Sequence, residues 1–138
     1  MRLARRLLVA LWAGLLLSIG AVVAPALFAV LADRHLAGAI AGHLFLIVTV
    51  LSAAVAAALA VLAALEQGPA TRARQLTAAG PAILLAGSEW LVRPLIEAAR
   101  ATHGVDGRAF AIWHGVSSGL YWLATIWVVV ALVRELRA

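Results

Sequence analysis

The chain has 138 residues, room for one domain, and 65% of them are hydrophobic while only 12% carry a formal charge; soluble domains average roughly half apolar and about a quarter charged. Roughly a third of a small domain's unfolded surface stays exposed after folding, so a soluble fold could not hide this much Ala, Leu and Val, and the excess must face lipid. The net charge of +5 rests on 11 arginines and no lysine, grouped between apolar runs with no basic stripe interleaved with aromatics, which argues against nucleic acid as a partner, and the lack of cysteine excludes disulfides, iron–sulfur clusters and thiolate zinc sites.

A bilayer core about 30 Å thick needs roughly 20 apolar residues in helical conformation. The first run that meets this, residues 7–32, carries no charge. Met1 to Ala29 also resembles a secretory signal, with a basic start, an apolar stretch and small residues near Ala24 and Ala29. The run continues past a typical signal core and holds Pro25 inside it, which favours a retained span; cleavage would leave three. The second run, 36–65, has His43 as its one titratable group. It opens with the small-xxx-small pair Gly38 and Gly42, a spacing that permits close helix packing, and Ala53, Ala57, Ala60 and Ala64 extend that seam.

The third run, 76–96, is the least apolar because it contains Glu89 and Arg93. Pro94 removes a backbone donor and restricts the residue before it, so a kink is expected at Arg93. The fourth run, 110–133, is interrupted by His114, some hydroxyls and the pair Gly115 and Gly119. The connections 33–35, 66–75 and 97–109 are short and carry charge, and the two longer ones carry glycine as well. Short connections force neighbouring helices antiparallel, and the expected fold is an all-α, integral membrane, four-helix up-down bundle forming one domain over residues 1–138.

Arginine placement sets the expected direction. Arg2, Arg5, Arg6, Arg72, Arg74, Arg134 and Arg137 fall on one side, against Arg34, Arg100 and Arg108 on the other. By the positive-inside rule both termini are cytoplasmic, in a cell membrane of the bacterial inner-membrane type. The lipid bilayer is the expected partner, and the glycine motifs leave a homodimer or a larger membrane complex open.

Ionisable groups inside a bilayer cost at least about 2.5 kcal/mol near the centre, so each needs a partner or a role. Four of them, His43, Glu89, Arg93 and His114, share one depth in the half away from the termini. Glu89 and Arg93 are spaced i,i+4 and Glu97 continues their face, an arrangement that neutralises charge within one helix or presents it to a ligand. His114, Ser117, Ser118 and Tyr121 align on one face of the fourth span, for interhelical hydrogen bonds or for a polar site. His43 and His114 could also pair as ligands of a metal ion or a b-type haem, although no ligand-spaced repeat supports them and no cofactor is assigned. No nucleophile elbow, phosphate loop or metalloprotease motif occurs, so no catalytic residue is named and an enzyme is not expected.

The segment Phe110-Ala-Ile-Trp-His-Gly-Val-Ser-Ser-Gly-Leu-Tyr121 resembles the aromatic-x-x-x-His-Gly-x-Ser-Ser element of the four-span family of unknown function that includes transmembrane protein 205. Gly42-His-Leu-Phe45, Pro25-Ala-Leu-Phe28 and Trp90-Leu91 followed by Pro94 are similar to further elements of that family, although the proline falls one residue later and Glu89 stands where a basic residue is common. The resemblance implies a compact four-helix membrane domain concerned with export or metal handling, and no established catalysis. The function expected is therefore a small-molecule or metal-handling module, or a transport accessory. A structural subunit of a larger complex and a haem-binding protein are the alternatives.

Overall fold

The computed structural model describes residues 1–66 and 68–137. Every element among them is helical, and three tight connections divide them into four helices: α1 (Arg2–Val30), α2 (Arg34–Glu66), α3 (71–103) and α4 (Arg108–Arg137). Each extends beyond its predicted apolar run except at the end of the first, where Leu31 turns to extended backbone (φ −85°, ψ 122°) and stops the helix short of residue 32. Three of the four, α1, α2 and α4, are long and apolar enough to cross a membrane. Helix α3 is not among them: residues 75–88 are free of charge, but Arg72 and Arg74 before them and Glu89, Arg93, Glu97 and Arg100 after them leave the apolar stretch short.

Local chemistry accounts for the helix ends. Asp33 caps α2: its Oδ1 accepts from the backbone N–H of His35 at 2.8 Å and of Leu36 at 3.1 Å, satisfying two donors that the first turn leaves orphaned. Helix α3 ends at Gly104, whose φ of +71° and ψ of −179° lie in a region essentially restricted to glycine. Arg100 and His103 complement the helix dipole in the turn before it.

Two helices widen into π-helical turns, Ser18–Val23 in α1 and Ser88–Val92 in α3. Each turn ends two residues before a proline. Ala24, ahead of Pro25, donates its N–H to the Ile19 carbonyl, and Arg93, ahead of Pro94, donates to the Ser88 carbonyl, five residues back in both cases. A proline lacks the N–H for its own i−4 bond and its ring crowds that carbonyl, so the preceding turn opens. The kink expected at Arg93 takes this form, and Pro25 builds a second.

The up-down arrangement is fixed by contacts at one end of the bundle, where Arg5 of α1, Glu66 of α2, Arg74 of α3 and Glu135 of α4 meet. The core above this cluster is built from Val9, Trp12 and Leu16 of α1, Val48 and Leu59 of α2, Leu85 of α3, and Tyr121 and Val128 of α4. On α2 the buried stripe runs through Ala37, Ala41, Val48, Ser52, Ala56, Leu59 and Ala63. The seam expected through Ala53, Ala57, Ala60 and Ala64 lies one position off, with three of those four exposed. In an alanine-rich helix several stripes are equally small, so the larger side chains Val48 and Leu59 and the Ser52 hydroxyl, which accepts from Trp12 Nε1 at 2.8 Å, decide which face turns inward.

Close helix approach instead occurs at two other glycines. A Cβ on Gly20 would lie 2.5 Å from Tyr121 Cε1, and one on Gly80 would lie 2.6 Å from Trp127 Cη2. Both are sockets for rings of α4.

Candidate functional site

Of the polar residues foreseen at the end away from the termini, Glu89, Arg93 and Ser117 meet at the π-helical turn of α3. Arg93 leaves that turn and pairs with Glu89 on one side, while its Nε donates to Glu97 Oε1 at 3.1 Å on the other. Its Nη1 also reaches across to the Gly42 carbonyl of α2 at 3.4 Å. The side chains grade from sheltered to open: Glu89 is 10% exposed, Arg93 34% and Glu97 62%. A carboxylate so enclosed needs the guanidinium beside it, and the guanidinium in turn ties α3 to α2.

Gly42 admits this contact, since a Cβ there would stand 3.4 Å from Arg93 Nη2; Gly38, one turn away, is 3.8 Å from Arg100 Nη2 by the same measure. These two glycines therefore face arginines of α3. Gly115 and Gly119 of α4 face open space, with no atom within 4 Å of a Cβ at either.

Helix α4 contributes to the same end. Ser88 Oγ and Ser117 Oγ share a hydrogen bond of 2.8 Å, which places the start of the π-helical turn against α4. Below it, Arg100 lies over the Phe110 ring at 5.3 Å, and that ring stacks on the His114 imidazole at 5.6 Å with an interplanar angle of 7°. Arg100 Nε is buried without a hydrogen-bond partner, a donor that the aromatic face serves only in part. Ser118 is half-buried and His114 and His43 are exposed. Neither of those two imidazoles makes a hydrogen bond among the described residues, and no group of three or more His, Asp or Glu there is arranged to hold a metal ion.

Tyr121 shares the helix face of His114 and Ser117 but serves the core. It is buried, meets Phe45 edge-on at 5.0 Å, and its hydroxyl donates to the Leu16 carbonyl of α1 at 2.7 Å. In a regular α-helix that carbonyl would accept from the N–H of Gly20. The phenol stands between the two, beside the backbone of Gly20, where α1 begins to wind as a π-helix. A side chain inserted into the helical ladder is a recognised cause of such a distortion.

Composition alone did not reveal the second polar cluster, at the termini end. Arg5 is only 8% exposed, with Nη1 2.7 Å from Glu66 Oε2 and Nε 2.8 Å from Glu135 Oε2. Arg74 Nη1 shares the same Glu66 oxygen at 2.6 Å, and Arg6 Nε donates to the Glu135 carbonyl at 3.0 Å. The sequence reads these arginines as topology markers, and the structure makes Arg5 a buried joint of the bundle. The available signal was the pair of glutamates, Glu66 and Glu135, each ending a long apolar helix on the arginine-rich side.

No curated protein and no solved structure matches the chain. One family profile does, over residues 7–104, which takes in α1 to α3 with the π-helical turn, Glu89 and Arg93, and ends before the His114 to Ser118 segment that carries most of the likeness to the family of transmembrane protein 205. A match over more than half of the chain, on helices of this apolar character, places it in a defined group: the chain belongs to the family of the domain of unknown function DUF4149.

Proposed function

We propose that the chain is a four-span integral membrane protein with cytoplasmic termini, and that its opposite end handles a small cationic molecule without catalysing its conversion. The supporting observation is the Arg93 junction, where one guanidinium holds Glu89, Glu97 and the Gly42 carbonyl beside a π-helical turn. Glu89 and Glu97 share the Arg93 guanidinium while Arg100 is engaged with the Phe110 ring, and Glu97 is the carboxylate open to solvent. Turns of this kind free backbone carbonyls and recur at functional sites. In the four-span arrangement α3 spans as well, its Glu89–Arg93 pair lowering the cost of insertion. The likeness of Phe110 to Tyr121 to the family of transmembrane protein 205 supports an export or accessory role.

The test is binding of two organic cations, ethidium and tetraphenylphosphonium, to purified protein in detergent. Saturable binding is expected, weakened about tenfold in Glu97→Gln, which removes one charge of the kind worth about 1.4 kcal/mol. No saturable binding of either cation, or binding unchanged by Glu97→Gln, would refute the site.

A second reading is a metal ion or b-type haem held by His43 and His114, both of which are exposed. Copper or zinc by elemental analysis, or a Soret band that His114→Ala abolishes, would establish it. The open faces at Gly115 and Gly119 further support packing against a second membrane helix, in a homodimer or a larger complex.

A further inference from the structure

Two hollows open at the termini end, on opposite sides of a shared wall formed by Thr77, Ala131 and Arg134. The first, about 170 Å³, passes between the helices to Val9, Trp12, Leu59 and Val128, with Arg5, Arg74, Arg134 and Glu135 toward its polar end. The second, about 320 Å³, follows the outside of α4 past Leu123, Ile126, Trp127 and Val130. Both are predominantly apolar along their length, and both include Arg134.

The charges here do not balance. Three guanidinium groups, Arg5, Arg74 and Arg134, stand against two carboxylates, Glu66 and Glu135. Arg5 is committed through two nitrogens and Arg74 through one, while Arg134 makes no hydrogen bond or ion pair among the described residues. Arg74 is also 40% exposed, so its remaining nitrogens are free to donate outward.

We propose that this end binds a two-chain anionic phospholipid from the leaflet it adjoins, its phosphate on Arg134 and Arg74 and the first part of one acyl chain entering each hollow. The inference rests on the chain spanning the membrane as read above, and it concerns the end opposite the cation site. Two apolar channels meeting at an unneutralised guanidinium match two tails joined at one anionic head. Basic pockets between membrane helices recognise anionic headgroups in this way, with the phosphate taking charge-assisted hydrogen bonds from arginine.

The experiment is native mass spectrometry of the full chain released from mixed micelles of phosphatidylglycerol and phosphatidylcholine. One phosphatidylglycerol is expected to stay bound in preference to phosphatidylcholine, and Arg134→Gln, which leaves the Arg5 cluster intact, should lower that retention about fivefold. Inorganic phosphate at millimolar concentration should not displace the lipid, and single-chain lysophosphatidylglycerol should be retained more weakly. Equal retention of the two phospholipids, an unchanged Arg134→Gln, displacement by inorganic phosphate, or equal retention of the single-chain lipid would each overturn the proposal. Failure of the membrane reading would show separately, as protein extracted from membranes by alkaline carbonate.

Discussion

Replacing Arg5 with methionine removes a side chain that joins the ends of both α2 and α4 to α1. The side chains of Arg5, Glu66 and Glu135 are 10%, 16% and 20% exposed, so solvent screens them weakly. In Arg5→Met, Glu66 keeps Arg74 at 2.6 Å, but Glu135 loses the one cation paired with its carboxylate among the described residues. Breaking a buried pair from one side costs about 3–5 kcal/mol; with one carboxylate still partnered and neither fully sealed, about 2–3 kcal/mol is expected here. For a chain of this size that lowers Tm by about 10 °C. Thermal unfolding followed by circular dichroism in a mild detergent measures it. The companion Arg5→Met with Glu135→Leu removes the orphaned charge as well and should recover at least half of the loss, because an ion pair replaced by apolar groups costs less than an ion left alone. A single variant within about 1 °C of the native protein, or a double variant lower than the single, would refute this account.

Further expectations follow from the backbone and the ring sockets. Gly20→Ala should destabilise by about 1–3 kcal/mol, since the new methyl meets the buried Tyr121 ring, whereas Gly80→Ala should cost less because Trp127 is 41% exposed and can turn outward; paired melting curves compare them. Gly104→Ala meets no neighbour, so its effect isolates the backbone strain at φ +71°, about 1–3 kcal/mol in the same assay, and a neutral result would mean that the turn relaxes freely. Val9, Trp12 and Leu16 of α1 form part of the core, so the chain extracted from membranes should retain residues 1–29, and an intact mass lower by about three kilodaltons would show that they are removed.

Four helices in antiparallel order were legible because apolar runs and charged connections repeat along the chain, although α3 runs past its predicted 76–96 at both ends, to 71 and 103. The orientation of each helix was not. Which of several small-residue stripes of α2 faces inward depends on Trp12 finding Ser52, 40 residues away, and that pairing has no local signal. Arg5 is similar: its partners stand 61 and 130 residues along the chain. Glu89, Arg93 and Glu97 could be grouped because i,i+4 spacing operates within one helix, and the Gly42 carbonyl could not, because only the approach of α2 supplies it. Tyr121 aligned with His114 by periodicity, but its depth in the bundle gives its hydroxyl to Leu16 of α1. Pro94 was read as a kink and Pro25 was not, and the form of both as π-helical turns needed the backbone itself.

In the four-span arrangement proposed above, α3, the helix carrying Glu89 and Arg93, crosses the bilayer with its neighbours. The chain has no cysteine of its own, so single cysteines report position cleanly. The measurement is labelling of Ala32→Cys, Gly68→Cys and Asp106→Cys by a membrane-impermeant maleimide in intact cells. With α3 spanning, Ala32→Cys and Asp106→Cys react from outside, and Gly68→Cys reacts only after permeabilisation. Protection of Asp106→Cys alongside reaction of Ala32→Cys would place the two connections on opposite sides and contradict a spanning α3.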